Sequence, residues 1–142
     1  MIEQIIHEGK MLSIIIRNEY NSSGIEFFTP NHFSHQLGYM KRNKDYIIKP
    51  HVHKPVERKI FDTQEVIIIK SGKARLDYYD DNKQYINSTI VKTGDIILLA
   101  NGGHGFLMLE ECEIVEVKQG PYVEDKDKVR FEPVLNENVK IN

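Results

Sequence analysis

Short runs rich in Ile, Val, Tyr and Phe recur along this chain. Each is cut off within about eight to twelve residues by a turn signal such as NSSG, KSGK, YDDNK or KTGD. No stretch sustains helical periodicity over about three turns, so a helical core is excluded. The pattern predicts antiparallel strands over 11–17, 24–28, 35–41, 46–49 and 65–70, and again over 74–79, 85–91, 95–99, 104–108 and 112–118. At most a short helical turn is expected near 29–34, around Pro30. EVIIIK and DIILLA are apolar at consecutive positions. Strands read that way when both faces are buried, under a second sheet or a partner subunit. The expectation is an all-β sandwich or jelly-roll barrel.

The 142 residues suit one domain over 1–142, with a core large enough to need no staple. The polar tail 135–142 (LNENVKIN) is expected to fray, and KVRFEPV before it to dock as an edge strand. A formal charge of −2 and no basic face beyond Lys41, Arg42 and Lys44 argue against nucleic acid. Apolar runs near the start are broken by Glu3, His7, Glu8 and Lys10, so neither a signal peptide nor a membrane span is expected. Cys112 is the only cysteine, which excludes an intrachain disulfide and suits a reducing, cytoplasmic setting. Its phase puts it on the face of Ile114, as a small core residue rather than a nucleophile.

His51 and His53 are two apart, so an extended strand projects both imidazoles to one face, where they can grip a single divalent ion. Glu65 opens an otherwise apolar strand, a costly place for a carboxylate unless it is paired or coordinated. His104 follows Gly102 and Gly103, whose freedom permits a sharp reversal at the mouth of the next strand. NGGHG is no phosphate loop, because FLML follows it instead of a helix.

These two stretches resemble the paired motifs of the cupin superfamily. In those motifs a glycine-framed HxH with a following glutamate precedes a second glycine-rich motif that carries a histidine. His51, His53, Glu65 and His104 occupy the four metal-ligand positions, and Gly72 and Gly94 match framing glycines. Asp45 replaces the opening glycine, and eleven residues separate His53 from Glu65 where the family has three or four. Ala100 replaces a proline, the turn before His104 is one residue shorter, and Met108 replaces the terminal asparagine. Glu57 fits the shorter gap, but Gln64 stands where its framing glycine belongs, so strand phase favours Glu65. The resemblance runs over about 46–118. KQGPY and DKVRF are also similar to a subgroup of small cupins associated with bacterial sugar and surface-polysaccharide pathways.

The resemblance implies an antiparallel cupin-type jelly-roll β-barrel (a double-stranded β-helix) and a homodimer. It also implies a divalent transition metal such as iron, manganese, nickel or zinc, with open coordination positions for a small polar ligand such as a sugar. An isomerase or epimerase further needs a proton shuttle, for which Glu57, Tyr39 and Lys118 are the candidates. The alternatives are a metal-dependent dioxygenase, which needs iron, and a non-catalytic carbohydrate-binding or sensing module.

Overall fold

The computed structural model describes residues 1–123 and 126–142. It is all-β, with strands β1 (Ile2–His7), β2 (Lys10–Ile16), β3 (Gly24–Phe27), β4 (Gly38–Lys41), β5 (Glu65–Ser71), β6 (Lys73–Tyr79), β7 (Tyr85–Lys92), β8 (Ile96–Leu99), β9 (Gly103–Met108) and β10 (Glu113–Lys118). A five-stranded sheet has the order β1-β2-β8-β5-β10, a three-stranded sheet the order β7-β6-β9, and β3-β4 form a hairpin. All pairings between these strands are antiparallel.

The two larger sheets share one core. Ile15, Ile67, Ile69, Ile97 and Leu99 meet Ala74, Leu76, Tyr78 and Val91. Alternate residues of the same strands point the other way: Ile14, Ile16, Val66, Ile96 and Leu98 pack with Tyr20, Phe28, Phe33, Leu37 and Tyr39. This explains the unbroken apolar runs, whose second face is covered by the chain's own hairpin and the 28–37 segment. Each fully buried Ile or Leu contributes about 1.5–3 kcal/mol.

The chain passes from β5 to β6 through Gly72 at φ +89°, where a Cβ would collide with the Glu111 carbonyl, so only glycine fits. One end of the molecule is fixed by Arg17. Its guanidinium holds both Glu3 oxygens at 2.8 Å and donates to Asp95 Oδ2 at 2.8 Å and to the Ile90 carbonyl at 2.7 Å. The fully buried Asp95 also accepts from Asn18 N and Lys92 N at 3.0 Å each, so no charge in the cluster lies unpaired.

Several expectations are corrected. Among the described residues the sheets do not close into a barrel. The expected strand at 46–49 is absent: residues 42–64 contain no strand and are exposed except Gln64 and the half-buried Arg42. That segment joins no sheet among the described residues, so it covers no sheet edge. A strand at Ile2–His7 was not expected, because Glu3 and His7 interrupt its pattern; a register shift between Ile5 and Ile6 accommodates it on β2. At 29–34 there is only a turn, with Phe33 N donating to the Pro30 carbonyl at 3.0 Å.

The tail does not fray. Tyr79 OH accepts from Val134 N at 3.0 Å, and Arg75 Nη1 donates to Asn136 Oδ1 at 2.9 Å. Ser88 N donates to the Lys140 carbonyl at 2.8 Å, and Asn142 N to the Ser88 carbonyl at 2.9 Å, so the polar tail borrows the free edge of β7. The 128–134 stretch docks without forming a strand. No described helix is long and apolar enough to cross a membrane.

Candidate functional site

Glu65 is the first residue of β5, paired in register with Leu99 of β8 on one side and Lys118 of β10 on the other. His104 is the second residue of β9, opposite Tyr78. The turn before it passes through Gly102 at φ +71°, where a Cβ would sit 2.6 Å from the Tyr79 carbonyl oxygen. Two strands of different sheets therefore end at one place, and their first polar side chains meet. His104 Nε2 lies 3.1 Å from Glu65 Oε2.

The pair borders a cavity of about 470 Å³. Thr63, Asn101, Tyr79 and the 100–105 turn line one side, and Asp127, Lys128, Arg130 and Phe131 line the other. This strap is held in place. Thr63 Oγ1 donates to Asp127 Oδ1 at 3.2 Å, and the Phe131 ring meets Tyr79 edge-on at 5.0 Å.

The Glu65 side chain is 7% exposed. The hydrogen bond from His104 lowers its pKa to about 2 against the opposition of burial, with help from the charge His104 carries when protonated and from Lys128 and Lys118. Both ammonium groups lie 3.7 Å from Glu65 Oε1. Burial works against the charge of Lys118, but Glu116 at 3.2 Å, then Glu65 and Asp127, outweigh it and raise its pKa. Lys118 also lies over the Tyr122 ring, 5.0 Å from its centroid. At neutral pH the carboxylate is thus ionised and the amine protonated. Glu65 accepts from His104 Nε2, which leaves Nδ1 as the ring atom that can act on a ligand.

Two of the four expected metal ligands, Glu65 and His104, come together here. His51 and His53 do not join them. They stand in the exposed 42–64 arm, their rings 5.3 Å apart, with His51 Nδ1 at 2.9 Å from the Lys49 carbonyl. Among the described residues no three His, Cys, Asp or Glu side chains form a group that could hold a metal ion. The donor set in this arrangement does not fit a resident divalent ion, because two ammonium groups already surround the carboxylate and would repel it.

Of the three expected proton shuttles, only Lys118 reaches the site. Glu57 is exposed on the arm, and Tyr39 lies on β4, edge-on to Tyr20 at 5.0 Å, within the outer core. Gln119 is structural: its Oε1 accepts from Gln64 N at 3.0 Å and its Nε2 donates to Ser34 Oγ at 2.9 Å. Thr63, Asn101, Lys128, Arg130 and Phe131 were missed as site residues, and DKVRF carried the one signal that pointed to three of them. Comparison of the chain with models of protein families, with curated proteins and with solved structures finds no match.

Proposed function

We propose that the cavity is the active site of an enzyme that moves a proton on a small polar, sugar-like molecule, as an isomerase or epimerase does. The observation that carries this reading is the buried, ionised Glu65 holding His104 at the wall of a cavity sized for a small molecule. His104 Nδ1 takes the proton from a carbon next to a carbonyl, giving an enediolate and an imidazolium. The imidazolium, whose proton exchanges with water, then protonates the neighbouring carbon while the enediolate's hydroxyl proton passes to the other oxygen. Alternatively, once the enediolate has turned over in the cavity, it protonates the opposite face of the same carbon; no other reactant is consumed. Glu65 stabilises the imidazolium through Nε2, and Lys128 and Arg130 offset the enediolate charge. Tyr79 and Phe131 offer apolar faces to a sugar ring, while Thr63, Asn101 and Asp127 supply hydrogen-bonding groups.

The scaffold we infer is a cupin-type jelly roll. Its support is the course of the chain, which crosses from the five-stranded sheet (β5) to the three-stranded one (β6, β7), back to β8, across to β9 and back again to β10. A second reading, a carbohydrate-binding module without turnover, is favoured by the scarcity of proton carriers: Glu65 is held ionised and Lys118 protonated.

Incubation with aldoses, ketoses, sugar phosphates and nucleotide sugars in heavy water, followed by NMR, decides between the two. Deuterium should enter at carbon, and His104→Gln should abolish it. Saturable binding without exchange establishes the module instead. Metal analysis of protein purified without added metal belongs beside it, because stoichiometric iron would transfer the reading to the dioxygenase.

A further inference from the structure

A second cavity, of about 500 Å³, shares a wall with the first. Thr63 and Glu65 line the first cavity and Gln64, between them, lines the second, the alternation expected of chain running into a strand. Asn101 borders both. The rest of the wall comes from the β1–β2 turn, the 30–34 turn and residues 59–62 at the base of the arm. The reaction proposed above uses none of this space.

The shared wall holds an unused hydrogen-bond donor. Gln64 is only 5% exposed. Its Oε1 accepts from Ser34 Oγ and from His35 N, both at 3.0 Å, and its backbone N donates to Gln119 Oε1 at 3.0 Å. Gln119 Nε2 closes the circuit by donating to Ser34 Oγ at 2.9 Å. The side chain is therefore fixed by its carbonyl end, and Nε2 has no partner among the described residues. Buried amide groups are nearly always paired, so a donor left over at a cavity wall marks a place for an acceptor. Asn101 is in the complementary state. Its Nδ2 donates to the Met11 carbonyl at 2.8 Å, and its Oδ1 is unengaged among the described residues.

The remaining lining narrows the ligand. Ile6, Met11, Phe33 and Ile60 supply apolar surface. The charged groups cancel: Lys59 is matched in sign by Asp62, and Lys10 is already held by Asp81 at 2.7 Å. A charged ligand finds no surplus of opposite charge here, whereas an uncharged one can still use the spare donor and acceptor. We propose that the second cavity binds a small uncharged carboxamide carried on an apolar ring. Its carbonyl accepts from Gln64 Nε2, its N–H donates to Asn101 Oδ1, and its ring lies against the apolar surface. The proposal does not depend on the reaction performed in the first cavity.

NMR titration of the full chain at about pH 8, above the histidine range, tests it. The probe is benzamide, with benzoate and benzylamine as charged analogues that each lack one half of the amide. Benzamide should saturate in the millimolar range expected for so small a molecule. It should shift the Gln64 side-chain amide and the Met11 methyl while leaving Tyr79 and Phe131 unmoved. Both analogues should bind at least about fivefold more weakly, the worth of one hydrogen bond of this kind. Gln64→Glu keeps the acceptor and removes the donor, so it should weaken benzamide by a similar factor and strengthen benzylamine. Ile60→Asp, on the exposed arm, should also weaken benzamide, and it serves if the Gln64 variant fails to fold. No saturation up to about 20 mM, shifts confined to Tyr79 and Phe131, equal affinity for the three probes, or indifference to both substitutions would overturn the proposal.

Discussion

The cavity end and the arm carry the same kinds of residue under opposite conditions. Glu65 and His104 begin strands whose ladders fix their backbones, and they meet at 3.1 Å. His51, His53 and Glu57 sit on a segment with no ladder, where their side chains face solvent. A titratable side chain becomes a tuned chemical group only where neighbouring strands fix its distance from a partner. Glu65 is held near pH 2 by its surroundings, and surroundings of that kind are what the arm lacks.

The contrast is broken most directly by activity. His104→Ala should lower exchange at carbon by about 10²–10⁴-fold, the usual worth of one positioned acid–base group. His51→Ala and His53→Ala should leave it within about twofold. Should the arm histidines prove as costly as His104 in the proton-exchange assay, the division between the regions is wrong.

Stability gives the next largest effect. Glu65→Ala strips the partner from His104, Lys118 and Lys128 and should cost about 2–4 kcal/mol, read as a loss of about 5–10 °C in melting temperature. Glu57→Ala on the arm should fall within about 0.5 kcal/mol of the parent.

Acid sharpens the same comparison. The folded-state pKa of Glu65 is depressed from 4.5 to about 2. Its stabilisation is therefore complete above pH 4.5 and is lost as pH falls toward 2. The full shift corresponds to about 3 kcal/mol, and screening at the open cavity reduces this to about 1–2 kcal/mol. Denaturant titrations at pH 6 and pH 2.5 should show the gap between parent and Glu65→Gln narrowing by that amount, with no such narrowing for Glu57→Gln.

The smallest effect concerns Tyr39. Its hydroxyl lies away from the cavity, so Tyr39→Phe should leave both sugar binding and carbon exchange unchanged in a titration.

The strands that proved easiest to read were those buried on two faces. Runs such as those of β5 and β8 have no alternative to burial, and their ends agree with expectation to within a residue. β1 was illegible because its charged residues lie at a sheet edge, where Glu3 meets Arg17 instead of water. Residues 46–49 misled for the opposite reason: β-propensity is local, whereas a strand needs a neighbour. Within the site, strand phase picked out Glu65 over Glu57, and the twin glycines picked out His104. The HxH spacing promised a shared face that exists only if the segment is extended in a sheet. Lys128, Arg130 and Phe131 had no periodicity to announce them, since they come from irregular chain held by Tyr79 and Thr63.

Because the 127–133 strap follows every strand in the sequence, the ribosome finishes both large sheets before it makes the outer wall of the cavity. A nascent chain can thus possess the strands of its hydrophobic interior while the cavity still lacks one wall. Enclosure of that space waits on chain made after the sheets it rests on.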